Sequence, residues 1–157
     1  MKRQIYFLVL MISFACKSED PEPISKPHFT AVIDDYNFKA HTIKTETMGG
    51  ARTYLIASDS ISGSEIIIIL KNSAFQEDYK ISFGWEASAQ INELGVSYIA
   101  NRPSDNGKIE LSTVDKKVGV LKGRFSFSAI RFGTLNDSKV VKNGSFFIEN
   151  FNFENLK

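Results

Sequence analysis

Residues 118–130 read Val-Gly-Val-Leu-Lys-Gly-Arg-Phe-Ser-Phe-Ser-Ala-Ile, in which Phe125, Phe127 and Ala129 alternate with Arg124, Ser126 and Ser128. A period of two sends one set of side chains to a buried face and the other toward water, the mark of a strand covered on one side. Asp115-Lys-Lys117 just before it supplies a tight turn. Before that turn, Lys108–Val114 alternates in the same way through Ile109, Leu111 and Thr113. Two alternating runs around a short polar turn predict an antiparallel hairpin.

The pattern repeats along the chain. Residues 28–41 predict a hairpin, with Phe29, Ala31 and Ile33 on one face and a turn at Asp34-Asp-Tyr-Asn37. Met48-Gly-Gly50 breaks the chain before Arg52–Ser58, and the turn of residues 59–63 leads into Ser64–Leu70. The β-branched run Ile66-Ile-Ile-Ile-Leu70 reads as a central strand covered on both faces. Further strands are expected at Asp78–Phe83, Trp85–Ile91, Val96–Ala100 and from about Val140 to Phe153, with Asn106-Gly107 closing a turn. No segment holds a 3.6-residue period; Ser88–Leu94 alone passes for a short helical turn. About nine strands at this spacing predict an all-β fold, an antiparallel β-sandwich with a β-barrel as the alternative.

The first 27 residues have a different composition. Lys2 and Arg3 precede an apolar run over residues 5–14, and Ala15 stands before Cys16, the single cysteine of the chain. About ten apolar residues are too few to cross a bilayer as a helix, which takes roughly 20, and they match the core of a secretory signal. The arrangement resembles the signal peptide of bacterial lipoproteins, although Ser13 stands where that family usually has an aliphatic residue. The resemblance implies that the Cys16 sulfur is lipidated and that Cys16 becomes the first residue of the mature protein. An ordinary signal peptide cut elsewhere, or an apolar strand of a cytosolic protein, are the other readings. Lys17-Ser-Glu-Asp20 resembles the acidic export signal of Bacteroidetes surface lipoproteins. Three of the four prolines lie between residues 21 and 27, where almost nothing apolar can be buried, so residues 16–27 read as an extended tether. The expected organisation is a leader (1–15), a tether (16–27) and one β domain (28–157); the resemblance implies a lipid-anchored location in the cell envelope, at the outer membrane and facing the surface.

A second resemblance spans most of residues 28–150. Phe29-Thr-Ala, followed by the Ile33-Asp-Asp turn and Phe38-Lys-Ala40, is similar to the opening of small Bacteroidetes lipoproteins of an uncharacterised all-β family. Gly123-Arg-Phe-Ser-Phe127 and Asn143-Gly-Ser-Phe146 are similar to that group's later strands. Asp35 stands where glycine is common in the turn. No activity is assigned to the group, so the likeness bears on fold and location only.

Composition excludes some functions. The formal charge is +1 and becomes about −1 once Lys2 and Arg3 leave with the leader, and no basic stripe is present. A nucleic-acid partner is therefore not expected. With one cysteine there is no intrachain disulfide; of the 13 Phe and 5 Tyr, all but Phe7, Phe14 and Tyr6 lie after the leader and are available to fill the core.

Candidates for chemistry are few. His28 and His41 stand at the two ends of the first hairpin, with Asp34 and Asp35 at its turn, without the spacing of a zinc site. No Gly-x-Ser-x-Gly elbow or phosphate-binding glycine loop occurs. Glu86 and Glu93 flank a strand with nothing to bring them into one cleft. No cofactor and no enzymatic activity are expected, a hydrolase with an unrecognised site being the weakest alternative. Trp85, with Tyr79 and Tyr98 near it in sequence, would form an aromatic platform for stacking on a sugar, or else fill core and rim. Asp59-Ser60-Ile61 matches the tripeptide used for O-glycosylation in Bacteroidetes, which marks Ser60. The expected function is a lipid-anchored, non-catalytic binding module for a glycan or an envelope protein, or a structural component of an envelope assembly.

Overall fold

A computed structural model of the chain describes residues 26–49, 51–71, 78–81, 86–100, 107–134 and 136–153. Residues 1–25, on which the expected leader, Cys16 and most of the expected tether fall, lie outside the described residues, as does Trp85. Among the described residues every regular element is a strand: β1 (His28–Ile33), β2 (Tyr36–Lys39), β3 (Thr42–Met48), β4 (Arg52–Asp59), β5 (Ser64–Lys71), β6 (Asp78–Ile81), β7 (Ala87–Glu93), β8 (Val96–Ala100), β9 (Gly107–Asp115), β10 (Val120–Arg131) and β11 (Ser138–Ile148).

The all-β class follows from the alternation, and the strands number eleven where the sequence suggests about nine. Thr42–Met48 escapes a pattern reading because it is an edge strand exposed on both faces, with only Ile43 and Thr47 half-buried. Of the Ser88–Leu94 stretch, residues 88–93 are strand rather than helical turn, and Leu94 opens the hairpin turn that follows. The strand residues pair with β5 on one side and β8 on the other, and these ladders outweigh local propensity. β5 is central, between β4 and β7. Only one of its faces is closed, however: Ile66, Ile68 and Leu70 are fully buried, whereas Ile67 and Ile69 are half-exposed on the outer face.

The strands form one hydrogen-bonded sheet in the order β2-β1-β11-β10-β9-β6-β7-β5-β4-β3, with β8 bridging β7 and β10. The sheet forks between β7 and β10. β9 lines β10 from Val120 to Ser126, and β8 takes over at Ile130 and Arg131. β6 touches β7 at a single parallel position, Ile81 with Ala87, so the sheet is mixed. The two ends of the order, β2 and β3, are consecutive in sequence and joined by Ala40 and His41. The Ala40 N–H still donates to the Phe29 carbonyl on β1 (2.9 Å), whereas the His41 N–H donates to the Ser58 carbonyl on β4 (2.9 Å). The sheet therefore curls until its ends meet at a two-residue corner, enclosing a single core.

That core is aromatic around β1, β10 and β11. Phe29 is fully buried, with ring centroids of Phe125, Phe146 and Phe38 at 5.0, 6.0 and 6.3 Å. Two glycines make room for these rings. Gly123 lies opposite Phe146, and Gly144 opposite Phe125, in the β10–β11 ladder. A Cβ on Gly144 would stand 2.5 Å from the Phe125 ring, and one on Gly123 would stand 2.6 Å from the Phe146 ring. The preceding Asn143 takes φ of 52°, and the register slips between Phe125 and Phe127, so residue 143 is the extra residue of a β-bulge. The Gly-x-Phe-x-Phe and Asn-Gly-x-Phe motifs are thus packing devices. In the first turn the left-handed residue is Asp34 (φ 52°), and Asp35 is not in that region.

Candidate functional site

Four β-turns gather at one end of the sheet, and hydrogen-bonded neighbours tie them together. Asp59 pairs with Ser64, Ser64 with Glu93 and Glu93 with Val96, which places the β4–β5 and β7–β8 turns side by side. An ion pair from Lys139 to Glu93 adds the β10–β11 turn. Asp34 donates its N–H to the Val140 carbonyl (2.8 Å) and accepts the Val140 N–H on Oδ1 (2.9 Å), which adds the β1–β2 turn. β1 runs toward this rim from His28, whose own end of the sheet lies roughly 17 Å away at the rise of a strand.

Each turn exposes a large apolar side chain. Ile61 is 82% exposed, Leu94 85%, Phe132 77% and Tyr36 43%. Scattered single apolar residues on a surface are ordinary, but contiguous ones mark an interaction site. Contiguity is supported by the Phe132 N–H, which donates to Ser97 on β8 (2.8 Å), and by Leu94 Cδ2, which lies 3.9 Å from where a Gly63 Cβ would be. Leu94 is also strained. Between paired Glu93 and Val96 it adopts φ of 49° and Gly95 φ of 81°, the left-handed pair of a two-residue hairpin turn, where Asn or Gly is at ease and leucine is not. Leu94→Asn is expected to stabilise the fold by about 1 kcal/mol, seen as a higher urea midpoint; a lower midpoint would mean that the leucine packs within the chain.

Beneath this apolar crown sits a buried carboxylate. Asp59 is 3% exposed, and its oxygens accept four donors. Tyr36 OH (2.5 Å) and Ser62 Oγ (2.8 Å) donate to Oδ2. The Ile61 N–H (2.9 Å) and His41 Nδ1 (3.0 Å) meet Oδ1. The Tyr36 bond above all holds the Asp59 carboxyl below the ordinary carboxylate range, and the same bond pushes the Tyr36 phenol up. With every oxygen engaged, Asp59 is a clasp that fastens β2, the β2–β3 corner and the β4–β5 turn.

A second polar group lies on the same rim. The Lys139 ammonium sits 5.3 Å from the centre of the Tyr98 ring, and Tyr98 OH donates to Asp137 (3.3 Å), which also accepts from Arg131 (3.3 Å). Burial first, then the Asp137 charge, pushes the Tyr98 phenol up, and the bond to Glu93 pushes the Lys139 ammonium up. Tyr98 is therefore no open stacking face: it is 8% exposed, belongs to the core and is roofed by Lys139. The side chain of Tyr79 and all of Trp85 lie outside the described residues.

The other candidates separate. His28 bonds the Lys26 carbonyl (3.0 Å) and packs edge-on to Phe147, whereas His41 bonds Asp59 rather than Asp34 or Asp35. Among the described residues no three His, Cys, Asp or Glu side chains converge as metal ligands. Glu93 pairs with Lys139 while Glu86 is exposed, so the two carboxylates serve different neighbourhoods. Ser60 is exposed at the β4–β5 tip, where its hydroxyl is accessible.

Sequence reading takes residues 59–63 as a turn and misses Asp59, because Tyr36 and His41 come from distant positions. The crown does leave a trace in sequence: Ile61-Ser-Gly63, Leu94-Gly95 and Phe132-Gly133 each put an apolar residue one or two positions before a turn glycine.

Among known proteins, a family model described as a domain of unknown function (DUF6252) matches residues 25–148. No curated protein and no solved structure matches the chain.

Proposed function

Because the chain belongs to the DUF6252 family, which carries no assigned activity, its function is read from its own residues, and we propose that it is an envelope lipoprotein whose β domain is a non-catalytic binding module. The observation that carries the binding role is the crown: Tyr36, Ile61, Leu94 and Phe132 exposed on four adjoining turns, at the end of the sheet away from His28. A tether entering at the His28 end would hold the domain with its crown turned outward. Exposed Ile, Leu and Phe suit an apolar patch on a protein partner better than a sugar, which is recognised by flat aromatic faces and convergent polar groups.

The anchoring part of the reading rests on the leader, the lone Cys16 and the Pro-rich tether. Fractionation of cells tests it. The wild-type chain is expected in the membrane pellet, and Cys16→Ala in the soluble fraction; a variant that still pellets would defeat the anchor. For the crown, a photo-crosslinking residue at Phe132 is expected to capture a discrete partner in cells, whereas one at Lys117, exposed on the β9–β10 turn at the opposite rim, captures none. Equal capture from both positions would defeat the crown.

A further inference from the structure

The end of the sheet at β3 carries an inference that does not depend on the crown. β3 pairs along its whole length with β4, from Thr42 with Ser58 to Met48 with Arg52, and it ends the strand order. Its other edge meets no strand among the described residues, and Thr42, Lys44, Thr45, Glu46 and Met48 are exposed. A seven-residue edge without proline or bulge, and without a covering loop among the described residues, is a template for strand addition.

We propose that this edge pairs with β3 of a second copy of the chain, antiparallel about a two-fold axis through Thr45. The sequence Thr42-Ile-Lys-Thr-Glu-Thr-Met48 is complementary to itself in that register. Thr45 faces the other Thr45, Lys44 faces Glu46 and Glu46 faces Lys44, while Ile43 faces Thr47. Cross-strand neighbours on one face of an antiparallel pair have Cβ atoms about 5 Å apart, within reach of an ion pair. A slip of two residues in one direction sets Lys44 against Lys44, and in the other Glu46 against Glu46. Charges that merely protected the edge would repel in every register, as a row of lysines does. Here one register is favoured and its neighbours are penalised.

The contact is isologous, so it closes as a dimer and does not propagate. The chain's own segment before His28 is a poor rival for the edge, since prolines at 21, 23 and 27 lack the N–H that a ladder needs. One strand pair is a small interface, so the dimer is weak in solution and gains from confinement of both copies to one surface.

Sedimentation of the full chain in detergent, over a range of concentrations, tests this. Wild type is expected to pass from monomer to dimer as concentration rises. Glu46→Lys, which sets like charges opposite each other at both symmetry-related pairs, should weaken association roughly tenfold or more. The double reversal Lys44→Glu with Glu46→Lys should restore it to within about threefold of wild type, because the same pairs form with their signs exchanged. All these positions are exposed, so circular dichroism should show the variants folded. A monomer at every concentration, a dimer indifferent to Glu46→Lys, or a double reversal that stays weak would each overturn the proposal.

Discussion

Phe29→Ala is expected to cost roughly 3–5 kcal/mol, enough to unfold a marginal domain at 37 °C. Phe29 is fully buried and lies at the meeting point of the Phe38, Phe125 and Phe146 rings, contributed by three other strands. Truncation removes the apolar contacts of the ring and leaves a cavity that its neighbours fill poorly. Phe125 and Phe146 are themselves seated against Gly144 and Gly123, so neither ring is free to slide inward without losing its own seat. No disulfide within the β domain can offset the loss, because no cysteine follows Cys16. Chemical denaturation checks this, with Phe29→Leu as the milder comparison. A loss under about 1 kcal/mol for Phe29→Ala would mean that the core relaxes far more than close packing allows.

Asp59→Ala should give the second large effect, about 2–4 kcal/mol, because a buried carboxylate with charge-assisted bonds is removed and its donors lose their partner. The figure sits below the sum of the bonds because Tyr36 and His41 are partly exposed and can turn to water. The loss has a pH signature. The folded-state carboxyl titrates below the ordinary range, so Asp59 contributes its stability in full above the unfolded value of about 4. That contribution is lost as pH falls toward the folded value. Melting temperatures of wild type and Asp59→Ala should therefore lie furthest apart near neutral pH and converge as pH drops below about 4. A gap that stays constant through that range would show that the carboxylate charge is not what holds the clasp.

The parts of the fold legible in sequence are those where one face of a strand is dry. Val120–Arg131 and His28–Ile33 reveal themselves because alternate residues must be apolar to enter the core. β3 is illegible for the converse reason: both its faces meet water, so nothing constrains its side chains to alternate. Ile67 and Ile69 mislead in the other direction, since β-branched residues suit an outer sheet face as well as an inner one. Tyr98 suggests a stacking face in sequence, whereas in the structure its ring is covered by Lys139 and its hydroxyl is bound to Asp137.

Sequence by itself determined the all-β class, the position of most turns and the composition break at Cys16 and the prolines after it. These are local properties, set by periodicity, backbone freedom and the length of an apolar run. Tertiary structure alone decided that four turns share one rim, that Asp59 collects donors from Tyr36, His41 and Ser62, and that β3 ends the sheet. Each of these depends on which strands pair, and pairing is settled by how the whole set of dry faces closes around one core.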